Sequence, residues 1–396
     1  MSKKIKLLLI STAQLRGGAE EYLLMIGRYA AQRGWDVHLT IEKVPGTTQL
    51  LADFSKEGII CHHTKISDIT CRITKKYGIL RQSIITSFIL LKVRPDIILV
   101  NMPGWTTSLG VLLACAVLKI PTLATFHLFP WQCKFGRKRI KLYQWFLTRN
   151  QKWVAVSENN RKYISETFEV DKNAISMIYN GVKEADLSDV AMCRKSVREE
   201  LKLQQDDYMI LTVARLDAPK GYQDMIPVVK QLSEANRQVK FVWVGEGQDR
   251  DVLTEMVRYH GLNDHVIFLG YRCDVYRLMK ASDLFLFPSH AEGFGLVLVE
   301  AMACGLSIVS SDTSSIPELI QDGVHGRLFR VGDCFAMLDS IRLAMSDLDA
   351  TRKMAQNARF RSQDFLEDRC VKKTLDLMEE LLIAVSGNSR LCCRKE

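Results

Sequence analysis

The stretch AEGFGLVLVEAMACG, residues 291–305, holds two carboxylates, Glu292 and Glu300, eight positions apart in a run that is otherwise almost wholly small or aliphatic. Just before it, DLFLFPS (283–289) is a short apolar run closed by Pro288, and just after it LSIVSSD (306–312) is another. Apolar runs of that length bounded by turn residues read as buried strands. The segment is therefore strand, loop, helix, strand, with LVLVEAMA (296–303) as the helix and Gly305 as its stop. Glu292 falls in the loop at a strand's carboxyl end, and Glu300 falls on the helix behind it. Between them the helix start, around Gly295 and Leu296, offers unpaired N–H groups and about half a positive charge to an anion.

If the residues between the two carboxylates were wholly helical, eight steps would separate them by roughly 12 Å. A paired acid and base on one glycosidic bond stand about 5–9.5 Å apart, so the spacing suits two grips on one elongated ligand. A solvated helix surface is the plain alternative for Glu300, but its neighbours Leu298, Val299, Ala301 and Met302 show no polar face.

The same alternation extends along the chain. KIKLLLIST is a strand, GGAEEYLLMIGRYAAQRG a glycine turn and helix ending at Gly34, and WDVHLTIE, PDIILVNMP, PTLATFHLF and KWVAVSE are further strands. The texture turns polar after MIYNGV and alternation restarts with YMILTVARL, VKFVWVGEG, HVIFLGY, DLFLFPS, LSIVSSD and GRLFR. Alternating strands and helices imply an α/β protein with parallel sheets covered on both faces. With 396 residues, two domains are expected. We place them at 1–184 and 185–375, with 376–396 as the end of a last helix and a frayed tail. Two such units create a cleft, and ligands sit beyond the carboxyl ends of their strands.

Hydrophobic residues at 47% and charged residues at 25% are ordinary globular usage and exclude a disordered or fibrous chain. The longest apolar run, LGVLLACAVLKIPTLATF, is broken by Lys119 and Pro121 and reads as a buried helix and strand rather than a membrane span. Eleven scattered cysteines, without a C-x-x-C pair or a secretory signal, fit a reducing cytoplasm. Cys61, His62 and His63 stand on successive strand positions that point to alternate faces, so no metal site is expected there.

The charge is uneven. Residues 1–185 carry 27 Lys+Arg against 13 Asp+Glu, whereas the remainder carries 27 against 32. Residues 72–94 and 134–152 are basic without any acid, which points to an anionic partner or surface. KFGRKRIKLYQWFLTRNQK (134–152) combines cations with Ile140, Tyr143, Trp145, Phe146 and Leu147. It reads either as a helix lying on an anionic membrane or as a core helix with a solvated basic face.

In VARLDAPKGY, Arg215 follows a strand and Lys220 follows a turn holding Pro219 and Gly221, so both reach a sheet edge where a phosphate would sit. VGEGQD has Gly245 and Gly247 but lacks the third glycine of a nicotinamide-dinucleotide fingerprint.

These segments, together with VIFLGYRCDV and EGFGLVLVEAMACGLSIVSSDTSSIPELIQDGVHGRLF, resemble the C-terminal domain of glycosyltransferase family 4, the nucleotide-sugar-dependent retaining enzymes of GT-B fold. RGGAEEYLLMIGRYAAQRGWDVHL, TFHLF, VAVSE and IYNGV resemble its N-terminal domain, so the likeness runs from residue 5 to about 335. The resemblance implies that Glu300 binds the nucleotide ribose and Glu292 the donor sugar's hydroxyls. Arg215 and Lys220 would neutralise the diphosphate, with the N–H groups of Phe294, Gly295 and Leu296. Gly270, Tyr271 and Arg272 match the place where the family holds the base. Gly17 and Gly18 would let backbone approach the diphosphate or acceptor, and His127 would lie near the transferred sugar, as a base or as a positioning group.

The expected activity is transfer of a hexose-type sugar from a nucleotide-diphosphate sugar to a glycan or lipid-linked acceptor, without metal or other cofactor. The protein would be cytoplasmic or peripheral on the inner face of the membrane, and nucleic acid is not expected as a partner. A nucleotide-sugar epimerase of the same fold and a basic nucleic-acid-binding protein are the alternatives. Both leave the two glutamates and the Arg/Lys pair unexplained.

Overall fold

The computed structural model describes residues 4–67, 75–104, 107–128, 134–235 and 238–392, with the side chains of 75–77 and 387–392 outside that description. Residues 72–74 of the first basic run therefore lie outside the described residues. The chain divides into two compact units, residues 1–181 with 367–396, and residues 182–366.

The first unit is built on a seven-stranded parallel sheet. Its strands are β1 (Lys6–Ile10), β2 (Asp36–Ile41), β3 (Ile60–His63), β4 (Ile97–Met102), β5 (Thr122–Phe126), β6 (Gln151–Ala155) and β7 (Ile175–Met177), in the order β3-β2-β1-β4-β5-β6-β7. Strands β4 and β5 are buried at every position, as the continuous aliphatic runs require in a sheet covered on both faces. Two apolar clusters lie on the two faces. One gathers Leu8, Ile10, Ile98, Val100, Tyr143, Phe146 and Trp153, the other Leu7, Leu9, Ile26, Leu99, Leu123 and Leu375.

The second unit holds a six-stranded parallel sheet of β8 (Tyr208–Val213), β9 (Val239–Val244), β10 (Val266–Gly270), β11 (Leu284–Phe287), β12 (Ser307–Asp312) and β13 (Arg327–Arg330), ordered β10-β9-β8-β11-β12-β13. In both sheets the order reverses once, between β1 and β4 and between β8 and β11. Loops leaving two adjacent strands in opposite directions open a crevice at such a point.

Three expectations change. The second division of the chain falls at 366/367 rather than 375, because the last helix, Glu367–Cys392, packs Cys370, Val371, Leu375 and Met378 into the first unit's core. Arg28 ties the start of that helix through an ion pair with Glu367 at 2.5 Å. The helix also continues to Cys392, through much of the segment read as a frayed tail. Finally, the helix Arg137–Leu147 buries Ile140, Tyr143 and Phe146, with Leu142, Trp145 and Leu147 packed against the same core. Its apolar face is spent on the sheet, while Arg137, Lys138 and Lys141 point to solvent, so of its two readings the core helix with a solvated basic face holds.

Candidate functional site

In the second unit the loops leaving β8 and β11, which flank the switch point, meet. Gly221 has φ +73, and a Cβ there would stand 2.1 Å from the carbonyl oxygen of Pro288. Only glycine permits that approach. The amide of His290 donates to Pro219 O at 2.8 Å, and Ser289 Oγ donates to the same carbonyl at 3.2 Å. The consequence is that Lys220 Nζ lies 2.6 Å from Glu292 Oε1, which also accepts from Ser289 Oγ at 2.7 Å. The two charged side chains retain only 16% and 11% of their exposure.

Serine hydroxyls fix the carboxylate's loop from below. Ser311 Oγ donates to Ser289 O, Ser310 Oγ to Phe287 O at 3.1 Å, and Ser315 Oγ to Phe294 O at 3.1 Å. All four serines are buried. None was singled out in the sequence, although the run SIVSSDTSS is dense in small hydroxyls for a strand end.

The helix Leu296–Ala303 begins where the sequence places it. Its cap, Gly295, is left-handed at φ 90, and the first amides to bond inward are those of Leu298 and Val299, both to Gly295 O. Earlier amides of the helix have no intrahelical acceptor, as at any helix start. Because residues 292–295 are not helical, the 12 Å separation expected of a continuous helix does not apply to Glu292 and Glu300. Glu300 is half-buried on the second turn, and its charge adds to the burial that pushes the Cys304 thiol up to about 12.

Other sequence candidates stand apart from this pair. Arg215 is 61% exposed and pairs with Asp217 at 3.2 Å. The guanidinium of Arg272 forks onto Asp274 at 2.7 Å twice and reaches Glu200 at 2.6 Å, in a network shared with Arg277. Those bonds raise Arg272 and lower Asp274 from their ordinary values. Its side chain is thus committed to holding neighbouring helices. Gly270 ends β10 at φ +66, where its carbonyl accepts from Gly245 N at 2.8 Å, and Tyr271 is 59% exposed. Gly245 and Gly247 serve packing: a Cβ on either would lie 1.9 Å from Ala214 O or 2.2 Å from Leu216 O.

In the first unit Gly17 caps and Gly18 opens the helix Gly18–Gln32. Beside them is a residue the sequence reading passed over. Glu20 is 3% exposed, and its Oε1 accepts from Ser11 Oγ and Asn101 Nδ2, each at 3.1 Å, at the ends of β1 and β4. Burial pushes its carboxyl up to about 7. The signal was available: an acid followed at once by a second acid in a first turn, where one faces inward. His127 follows β5, 8% exposed, with its ring edge-to-face to Tyr22 at 5.0 Å. Burial alone draws its pKa down to about 3, so it is neutral near pH 7 and a weak base there. His62, from the Cys-His-His run, meets His38 of the adjacent strand, Nε2 to Nδ1, at 3.0 Å.

Two doubly wound parallel-sheet units with a charged pair at a switch point define the GT-B class of architecture. Solved structures agree. A glycosyltransferase from Rickettsia africae superposes with TM-score 0.81 at 20% identity, covering 96% of this chain and 99% of that one. Anabaena HepE, solved in complex with UDP and glucose, gives 0.78 at 21%, covering 95% and 99%. The family model "Glycosyl transferases group 1" matches residues 194–361, and "Glycosyltransferase Family 4" matches residues 16–186. The chain belongs to this family of glycosyltransferases.

Among curated proteins it is 30% identical over 207 residues to N-acetyl-alpha-D-glucosaminyl L-malate synthase of Bacillus anthracis, 52% of this chain and 53% of that one. It is 29% identical over 228 residues, 57% and 58%, to a Campylobacter jejuni N-acetylgalactosaminyltransferase whose name gives a diphospho-undecaprenol-linked glycan as acceptor. The chain spans about half the length of the curated relatives it matches.

Proposed function

We propose that the protein transfers a hexose-type glycosyl group from a nucleotide-diphosphate sugar, with retention at the anomeric carbon, to a hydroxyl of a glycan or lipid-linked acceptor. The observation that carries this reading is the Lys220–Glu292 pair at the switch point, directly before the glycine-capped helix start. A cation, a carboxylate and the amides of a helix's first turn there match the phosphate, the sugar hydroxyls and the phosphate again. The UDP and UDP-glucose held by HepE support a uridine donor as the first to try.

In this reading the bond between the anomeric carbon and the β-phosphate oxygen breaks, and its electron pair stays on the phosphate. Lys220 and the amides of Phe294, Gly295 and Leu296 oppose that growing charge, which is usually the largest contribution to such catalysis. Arg215, exposed and paired with Asp217, is the second cation assigned to the same phosphate. Glu292 accepts from the sugar's hydroxyls, and Glu300 from the ribose. The acceptor oxygen bonds to the same face of the sugar, and its proton passes to the departing phosphate oxygen. His127, neutral at pH 7, positions rather than deprotonates. The positive charge comes from protein groups, so the reading assigns no metal.

The test is incubation with uridine, guanosine and adenosine diphosphate sugars, following release of the nucleoside diphosphate and the anomeric configuration of the product. Release from one donor series, abolished in Lys220→Ala, with an α-configured product from an α-donor, is the expected result. Epimerised donor without release would identify an epimerase instead.

A further inference from the structure

The helix Lys75–Val93 presents Leu80, Ile84, Phe88 and Leu91 to solvent at 58%, 48%, 70% and 63% exposure. Steps of four, four and three residues keep all four within an arc of about 80° on an α-helix. They form one strip, three turns long. The helix is held by its other side, where Ile89, Leu90 and Val93 enter the sheet's core.

The next helix, Leu109–Leu118, is pinned against it. Gly110 N donates to Gln82 Oε1 at 2.7 Å, and Gly110 O accepts from Ser83 Oγ at 2.9 Å. Both helices return the chain to parallel strands of one sheet, so they run in the same direction. Val117, 59% exposed, therefore lies two turns beyond that contact, level with Phe88. An apolar patch of several hundred Å² on a folded surface marks an interaction site.

The stretch of chain that carries it is almost wholly of one sign. Between Asp68 and Glu158 the sole acidic residue is Asp96, and that carboxylate accepts from the amide of Lys6 at 2.9 Å. Lys92, Arg94 and Lys119 are exposed at the end of the strip. A second copy of the chain would bring like charges face to face, which opposes association. An anionic lipid surface satisfies both features, the strip at the acyl boundary and the cations at the phosphates.

We propose that Leu80, Ile84, Phe88 and Leu91, rimmed by Lys92 and Arg94, dock this unit on an anionic bilayer. Docking stands on this geometry alone; the further step, that it delivers a lipid-borne acceptor to the protein, rests on the transferase reading. Among the described residues no helix is long and apolar enough to cross a membrane.

The experiment is co-flotation of the full chain with vesicles of phosphatidylcholine alone or with one-quarter phosphatidylglycerol. The expected result is flotation with the mixed vesicles only, reduced about tenfold by Phe88→Ser/Leu91→Ser and by raised salt, and weakened by Lys92→Glu/Arg94→Glu. Exposed positions leave the melting midpoint of each variant near that of the wild type. No flotation of the wild type, or equal flotation of the Phe88→Ser/Leu91→Ser variant, overturns the proposal. So does a dimer in sedimentation velocity that the same pair of substitutions abolishes. Transfer to a water-soluble acceptor should be unchanged in these variants; its absence in the wild type would sink the transferase reading and leave the flotation result standing.

Discussion

Lys220 Nζ and Glu292 Oε1 stand 2.6 Å apart although 72 residues separate them in sequence. The pair is mostly shielded, so removing either partner leaves a charge short of its counterion. Lys220→Ala and Glu292→Ala are each expected to destabilise the fold, and the double variant by less than their sum. Denaturant unfolding of the four proteins should give a coupling on the order of 1–3 kcal/mol. Additive effects would mean that the contact is incidental.

Gly221 holds the approach that makes the pair. With its positive φ and Pro288 O at 2.1 Å from any added Cβ, Gly221→Ala must push the two loops apart. Turnover is expected to fall about a hundredfold, a misplacement of the charged pair alone being enough. A crystal structure of the variant should show the Lys220–Glu292 contact lengthened. Unchanged turnover would place the chemistry elsewhere.

Glu20 gives a stability prediction with a definite sign. Its folded pKa is raised from 4.5 to about 7, so between those values the native state holds a proton that the unfolded chain has lost. Native binding of more protons means that stability falls as pH rises through this window, by on the order of 3 kcal/mol at most, and levels above it. Glu20→Gln should remove this component. Urea midpoints measured from pH 4.5 to 8 for both proteins check it; parallel curves contradict the assignment.

His127 acts in the opposite direction. Its folded pKa is lowered from 6.5 to about 3, so the unfolded state gains its proton first as pH falls. Stability is then full above pH 6.5 and is lost between 6.5 and 3. His127→Asn should flatten that acid limb. The same variant should keep the wild-type rate profile around neutral pH, whereas an acid limb of the wild-type profile that disappears in the variant would restore the general-base reading.

The central strands of both sheets were legible because they are continuous aliphatic runs at regular spacing, whereas Ile60–His63 and Ile175–Met177 at the two edges of the first sheet carry too few aliphatic residues to stand out. Gly305 and the loop before Leu296 mark the helix that carries Glu300. What stayed hidden depends on faces that sequence spacing leaves open. The helix 75–93 is apolar on nearly every side, so nothing in its pattern separates buried Ile89 and Leu90 from exposed Phe88 and Leu91. The helix 137–147 looks more amphipathic, yet its Tyr143 and Phe146 are core. Ser289 matters through Pro219, 70 residues away, Ser311 and Ser315 through Ser289 and Phe294, 22 and 21 residues away, and Glu20 through Asn101, 81 residues on. Such contacts follow from strand order, which the sequence leaves open. The last helix was misplaced for the same reason, since its apolar stripe names no partner.

The central claim is that the Lys220–Glu292 corner and the helix beginning at Leu296 hold a nucleotide-diphosphate sugar. Thermal unfolding in the presence of uridine, guanosine and adenosine diphosphate sugars tests it most directly, since a ligand that binds the native state raises the midpoint. One nucleotide series should raise the midpoint of the wild type, and the rise should vanish in Lys220→Ala. No rise with any of the three, or an equal rise in Lys220→Ala, would contradict it.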